Sequence, residues 1–285
     1  MLLLGYGYVA RRFLRMAAAD GWAVAATTRG DAAKSAAIRT DGATPVFWRP
    51  DNDFKSAVAE VDAILISTPP SRGVCPALAA TRQTLLASDR KPQWIGYLST
   101  NGVYGDHGGA WVDEGSALRA ASPRAVARVA AEYGWRALGD EANIPVVIFR
   151  LPGIYGPGRS ALDAVREGRA KRIVKKGQVF SRAHVDDIAA ALRASLADPD
   201  AGSLFNIADD EPAAAQDVIA FACDLLGVPP PPLIPIEIAG LSEMEQSFYA
   251  DCKRVSNAHM KQRLLSRLSY PTYREGLSGL AAAGY

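Results

Sequence analysis

Four apolar residues, Met1–Leu4, run directly into Gly5-Tyr6-Gly7-Tyr8-Val9-Ala10, and an amphipathic stretch follows. Few patterns constrain a fold more tightly. In GxGxxA the first glycine permits a tight turn from strand to helix, and the second lets a backbone approach a pyrophosphate. The last position needs a small residue for packing of helix on strand. Tyr8–Ala19 has Val9, Phe13, Met16 and Ala17 on one face, and Gly21 ends it. The pattern predicts a strand–turn–helix unit whose helix N-terminus offers free N–H groups to phosphates.

The units repeat. Strands are predicted at Trp22–Thr28, Thr44–Phe47, Ala63–Ser67, Trp94–Ser99 and Pro145–Arg150. Helices are predicted at Ala32–Arg39 behind the cap Asp31, at Pro76–Ser88, and from Ser122-Pro123 to about Ala142. Strands alternating with helices predict an α/β fold, a Rossmann-type doubly wound parallel sheet of about seven strands. Beyond Pro152 the pattern loosens, with Pro and Gly clustered at 152–158 and four prolines at Pro229–Pro232. Val185–Ala197 and Ser203–Ile207 still read as a helix and a strand of the sheet domain. The expected division is a nucleotide-binding domain of 1–151 plus 183–208 and a smaller substrate lobe of 152–182 plus 209–285.

Composition narrows the classes. The 285 residues carry 32 Lys and Arg against 30 Asp and Glu, a net +2. That balance argues against nucleic acid and acidic membrane surfaces as partners. No long uncharged window predicts a membrane span, and Arg11 and Arg12 follow the first apolar run, the wrong side for a signal peptide. Cys75, Cys223 and Cys252 are odd in number and far apart, and the three histidines share no ligand spacing. A reduced, cytoplasmic setting without metal is expected, with the cysteines as small core residues. The partner expected is a small-molecule substrate.

An acid about 20 residues beyond the glycine loop would accept the ribose 2′-OH of NAD. The second strand instead ends Thr27-Thr28-Arg29, and Asp31 reads as a helix cap. Arg29 suits a 2′-phosphate through charge-assisted hydrogen bonds. NADP is therefore the first expectation and NAD the second.

Several further segments carry a resemblance. They are Tyr97-Leu98-Ser99-Thr100-Asn101-Gly102-Val103-Tyr104-Gly105, Arg150-Leu151-Pro152-Gly153-Ile154-Tyr155-Gly156-Pro157-Gly158-Arg159, His184-Val185-Asp186-Asp187 and Phe205-Asn206-Ile207-Ala208. With Gly5–Ala10 they resemble the extended short-chain dehydrogenase/reductases, the NAD(P)-dependent epimerase/dehydratase superfamily. Tyr270–Leu277 resembles an atypical bacterial branch of it. The resemblance makes Thr100 the catalytic hydroxyl that hydrogen-bonds the reacting oxygen. It puts Ser67, Thr68 and Pro69 under the ribose and Pro152, Gly153 and Ile154 along the nicotinamide. Gly5, Gly7, Tyr8, Val9 and Ala10 hold the phosphates. Tyr155 and Arg159 become candidate substrate contacts, and His184 and Asp187 a buried structural pair. Helices 76–88 and 123–142 suit a homodimer interface, with Trp135 and Leu138 on or near that face or in the core.

The resemblance breaks at its acid/base. Where the family has Tyr-x-x-x-Lys, this chain has Arg124-Ala125-Val126-Ala127-Arg128. Arginine stays protonated in proteins, so Arg124 cannot shuttle a proton as tyrosine does. Arg128 can bond the ribose as lysine would, or pair with Glu132 at i,i+4. Arg124 can stabilise a developing oxyanion or hold an anionic substrate, and Tyr104 is the nearest substitute acid. Three functions are consistent with these residues: an oxidoreductase or epimerase/dehydratase on a small polar substrate such as a nucleotide sugar, an NADP(H)-binding redox sensor without turnover, or a scaffold subunit that only dimerises.

Overall fold

The computed structural model describes residues 1–49, 51–71 and 73–285. Seven parallel strands form the central sheet: β1 (Leu2–Leu4), β2 (Ala25–Thr28), β3 (Thr44–Phe47), β4 (Ala63–Ile66), β5 (Trp94–Thr100), β7 (Val146–Leu151) and β11 (Leu204–Asn206). Their order is β11-β7-β5-β4-β1-β2-β3. Connections leave β1 toward one edge and β4 toward the other, so the strand order reverses between them. Ligands in such sheets lie outside the carboxyl ends of the strands at that switch.

Because successive strand residues face opposite ways, β1 serves two cores. Leu3 packs with Phe13, Trp94, Phe149 and Leu192 on one face. Leu2 and Leu4 pack with Phe54, Tyr97, Trp135 and Ile148 on the other. Helices α1 (Tyr8–Ala19) and α7 (Val185–Ala197) cover the first face; α3 (Asn52–Ala59), α4 (Pro76–Ala87) and α5 (Pro123–Ala142) cover the second, with α2 (Ala32–Thr40) beside β3. Trp135 and Leu138 are core residues, both fully buried, and not members of an exposed face. Helix α3 has no counterpart in the sequence reading. Its signal is short: Asp51 accepts the Phe54 N–H at 3.0 Å, and Phe54 and Val58 lie one turn apart.

The second lobe is built from small pieces: α6 (Ala161–Arg166), α8 (Ala215–Leu225), α9 (Glu243–Ala250), α10 (Ala258–Arg263) and α11 (Tyr273–Ala282). Three parallel pairs link them: β8 (Gly153–Tyr155) with β10 (Arg182–His184), β9 (Arg172–Val174) with β12 (Leu233–Pro235), and β6 (Trp111–Val112) with β13 (Arg254–Val255). Its own core gathers Tyr155, Leu162, Val218, Tyr273 and Leu277. One stretch amends the expected lobe 209–285. Met260 and Leu268 pack into the sheet domain's core, and the ring of His259 stacks on Phe205 at 4.9 Å.

Candidate functional site

The glycine loop follows β1. Gly5 has φ +105°, and a Cβ there would lie 2.5 Å from Ser67 Oγ, so the position needs glycine on both counts. Its N–H donates to Thr27 Oγ1 at 2.8 Å. The N–H groups of Ser67 and Thr68 both donate to the Leu4 carbonyl, at 3.0 and 3.2 Å, which draws the β4 loop beneath the glycines. Gly7 caps α1 without a side-chain bond, and a Cβ there would meet nothing within 4 Å. No acid occupies the first turn of α1. Its first N–H groups are thus left without a side-chain cap, an arrangement suited to an anion. Ala10 is fully buried, closing the helix on the sheet, and Val9 is buried beside it. Thr68 Oγ1 is buried with no protein partner among the described residues. These residues fit a pyrophosphate and its ribose. Pro69 is exposed at the end of the same loop. At the edge, Arg29 is exposed beyond β2, while Asp31 accepts the Lys34 N–H at 2.7 Å and caps α2.

On the other side of the switch, Thr100 ends β5 half-buried, and its Oγ1 accepts the Gly102 N–H at 3.1 Å. Accepting that bond leaves its own hydroxyl hydrogen free to donate. Beneath it lies a closed polar network. Ser99 Oγ donates to Glu132 Oε1 at 2.5 Å, and Arg150 Nη2 donates to Glu132 Oε2 at 2.7 Å. Arg150 Nη1 donates to Tyr104 Oη at 3.0 Å, and Tyr104 donates to Asn206 Oδ1 at 2.7 Å. The Asn206 N–H donates to Glu114 at 2.7 Å. All but Glu114 are buried.

This network corrects two expectations. Tyr104 is fully buried with its hydroxyl engaged on both sides, and burial raises its pKa although Arg150 opposes the shift. It is a positioning residue, closed off from a substrate oxygen. Glu132 is spent on Arg150 and Ser99, so it is no surface partner for Arg128. Arg128 instead donates to the Leu98 carbonyl and lies 5.8 Å from the Tyr97 ring centre, half-buried at the β5 end. Arg124, one turn earlier, is exposed with its guanidinium 5.9 Å above Phe248 of α9. The two arginines thus serve different surroundings.

The segment after β7 crosses to the second lobe. Pro152 and Ile154 are half-buried and Gly153 is exposed. Tyr155 corrects a third expectation. It is 7% exposed, and its hydroxyl donates to the Thr272 carbonyl at 3.3 Å, so it offers a ring and not a hydroxyl to a ligand. Arg159 lies 5.7 Å above the ring of Tyr8, whose hydroxyl donates to the Pro157 carbonyl at 3.0 Å. Burial pushes the Tyr8 phenol up to about 12. Nothing in the GxGxxA pattern signals that stitch between glycine loop and second lobe. His184 and Asp187 are buried but do not bond each other. His184 Nδ1 accepts the Asp186 N–H at 3.2 Å at the start of α7, with its pKa lowered by burial to about 4. The Asp187 carboxylate accepts the N–H groups of Ser269 and Tyr270 at 2.7 and 3.0 Å.

A seven-stranded parallel sheet reversing at β1/β4, an open glycine loop at that switch and a second lobe after β7 together define an extended short-chain dehydrogenase/reductase fold. The model of the NAD dependent epimerase/dehydratase family matches residues 76–208. Over that stretch the chain is similar to the family, with Arg124 and Arg128 at the places expected to hold its tyrosine and lysine. A solved Silicibacter pomeroyi protein of unknown function is 45% identical with a TM-score of 0.92, over 99% of this chain and 98% of that one. The human epimerase family protein SDR39U1, solved with NADPH, shares the fold at 16% identity and TM-score 0.75, over 99% of each chain. A curated relative, the 3-diazoavenalumate denitrifying reductase of a Streptomyces species, is 28% identical over 166 residues, 55% of this chain. The match spans about half of that relative's length, 52%. Among the described residues no helix is long and apolar enough to cross a membrane.

Proposed function

We propose that the chain binds NADP(H) at the glycine loop and acts as an oxidoreductase or epimerase/dehydratase on a small polar substrate, nucleotide sugars among the candidates. The observation that carries this is the open cradle: Gly7 with nothing above it, an uncapped α1 N-terminus, and below them the Thr68 hydroxyl, unpartnered among the described residues. The family whose model matches residues 76–208 and the NADPH in the human neighbour support a nicotinamide cofactor. Gly5, Gly7, Tyr8, Val9 and Ala10 would hold the pyrophosphate. Arg29 would take the 2′-phosphate, and NAD is the second choice. Ser67, Thr68, Pro69 and Arg128 would hold the ribose, with Pro152, Gly153 and Ile154 along the nicotinamide. Bound there, the cofactor supplies a hydride donor or acceptor. Thr100 donates its free hydroxyl hydrogen to the reacting oxygen, and Arg124 offers a fixed cation to a developing or standing negative charge.

With Tyr104 closed off and arginines at 124 and 128, no side chain in this assignment is an evident proton shuttle. A positioned acid/base contributes about 10²–10⁴-fold, so turnover is expected to be slow or confined to substrates carrying their own proton source. The same observation favours the second reading, an NADP(H)-binding sensor or regulator without turnover. The experiment is NADPH oxidation against carbonyl and nucleotide-sugar panels, beside NADPH and NADH titrations. Activity abolished by Thr100→Ala supports the enzyme. Tight NADPH binding with no hydride transfer to any substrate supports the sensor, and failure of both nucleotides to bind removes the proposal. For assembly, we propose a homodimer through α4 and α5, whose outer side exposes Val126 and Tyr133 at 51% and 63%. A monomeric mass in solution light scattering would refute it.

A further inference from the structure

The second lobe contains an arginine whose hydrogen-bonding fork is only partly used. Arg182 lies on β10 opposite Gly153 of β8, half-buried. Its Nη1 donates to the carbonyls of Phe180 and Ala213 at 2.8 and 2.9 Å, and its Nε and Nη2 have no protein partner among the described residues. It joins no ion pair among those residues. The carboxylate that its charge acts on is Asp209. That group is 2% exposed, its two oxygens have no partner among the described residues, and burial pushes its pKa up to about 8 against the pull of Arg182. A desolvated polar group left without a partner is costly.

Arg182 lines a cavity of about 460 Å³ between the β7–α6 segment, α8 and α11. Arg159 and Lys171 contribute two further cations to its wall, Arg169 is paired with Glu167, and Val218 and Leu277 contribute apolar surface. The wall has one carboxylate, Asp163, which is held by Ser160 Oγ at 2.6 Å. The cavity thus combines fixed positive charge with an apolar side. The free Nε and Nη2 of Arg182 form the planar fork that grips two oxygens of one oxyanion.

We propose that this cavity binds a small organic carboxylate carried on an apolar or aromatic body, with the carboxylate on Arg182 and the body against Val218 and Leu277. The substrate class of the proposed enzyme is thereby named, and any chemistry on the bound carboxylate rests on that functional reading. Binding itself needs no nucleotide. The wall includes Ile154 and Arg159, which continue to the segment expected along the nicotinamide and to Tyr8.

The test uses calorimetry on the full chain without nucleotide, with benzoate, benzyl alcohol and inorganic phosphate as probes. Benzoate is expected to bind at least tenfold more tightly than the alcohol or phosphate. Arg182→Met should weaken benzoate tenfold or more and leave benzyl alcohol unchanged. Lys171→Met, at an exposed rim position, should weaken benzoate severalfold without risk to folding, and it decides the matter if the Arg182 variant does not fold. NADPH affinity in Lys171→Met should stay that of the wild type. The proposal falls if benzoate does not bind, if benzoate and benzyl alcohol bind alike, or if Lys171→Met and a folded Arg182→Met both keep wild-type benzoate affinity. Phosphate binding as tightly as benzoate would also overturn it. Failure of NADPH to bind would remove the cofactor reading and leave benzoate binding standing.

Discussion

The glycine-loop side of the cleft and the second-lobe side are built from different materials. At the glycine loop the working groups are backbone N–H donors, placed by two glycines, a helix end and the strand order. In the proposed carboxylate site they would be side chains, above all Arg182, beside the buried Asp209 and in a cavity between three elements. Main-chain sites are fixed by spacing along the chain. Side-chain sites are fixed by which polar groups are left without partners after folding. Between the two lies the buried Ser99–Glu132–Arg150–Tyr104–Asn206 network, which supports the β5 end that both sides share.

The largest effect is expected at that shared support. Glu132→Ala leaves Arg150 buried without its carboxylate, and breaking one partner of a buried pair costs about 3–5 kcal/mol. Denaturant unfolding should show the loss; a change under about 1 kcal/mol would mean the network carries little of the β5–β7 junction. Gly5→Ala comes next. It forces a left-handed backbone on alanine and drives Cβ against Ser67, a strain of about 1–3 kcal/mol, and NADPH titration should fall with stability. Retention of both would separate the loop from the cofactor.

Arg29→Ala tests selectivity only. Loss of one charge-assisted bond should weaken NADPH by about 1.5–3 kcal/mol, roughly ten- to hundredfold, leaving NADH nearly unchanged. An undiminished NADPH preference would remove Arg29 as selector. The smallest effect is a gain. Asp209 holds its proton more tightly folded than unfolded, so its contribution is full below the unfolded carboxylate range and is lost as pH rises toward about 8. Asp209→Asn should therefore raise the unfolding free energy more at pH 8 than at pH 5, by about 1–2 kcal/mol at the higher pH. Equal shifts at both pH values would show that Asp209 titrates normally.

Legibility followed the same divide. The sheet strands and α1, α2, α4, α5 and α7 were readable because apolar period, caps and prolines repeat over enough residues. Helix α3 offers only eight residues and one apolar pair. Strands β8, β9 and β10 have three residues each and pair with segments far along the chain, too short for an alternation to show. Gly5 and Gly7 announced the loop. The Val103-Tyr104-Gly105 segment located Tyr104, but its burial is set by Asn206, 102 residues later. The i,i+4 rule suggested Arg128 for Glu132, where the lower-lying Arg150 takes it. Nothing near Arg182 in sequence marks its fork as only partly used.

The route of the chain has a kinetic consequence. It leaves the sheet after β7, lays down β8, α6 and β9, returns for α7 and β11, and departs again before α10 brings Met260 back to the sheet core. The sheet's outer strand thus cannot dock until the intervening segment has been made, and one of its contacts, Tyr104 Oη to Asn206 Oδ1, closes a loop across 102 positions. Contacts of that span are slow to form. During synthesis, β1 through β5 can pair while the β7 edge still lacks its neighbour, an exposed strand edge open to mispairing. The two lobes are therefore not separable folding units. A cut at one loop cannot release the second lobe intact, because its segments leave the sheet domain and return to it.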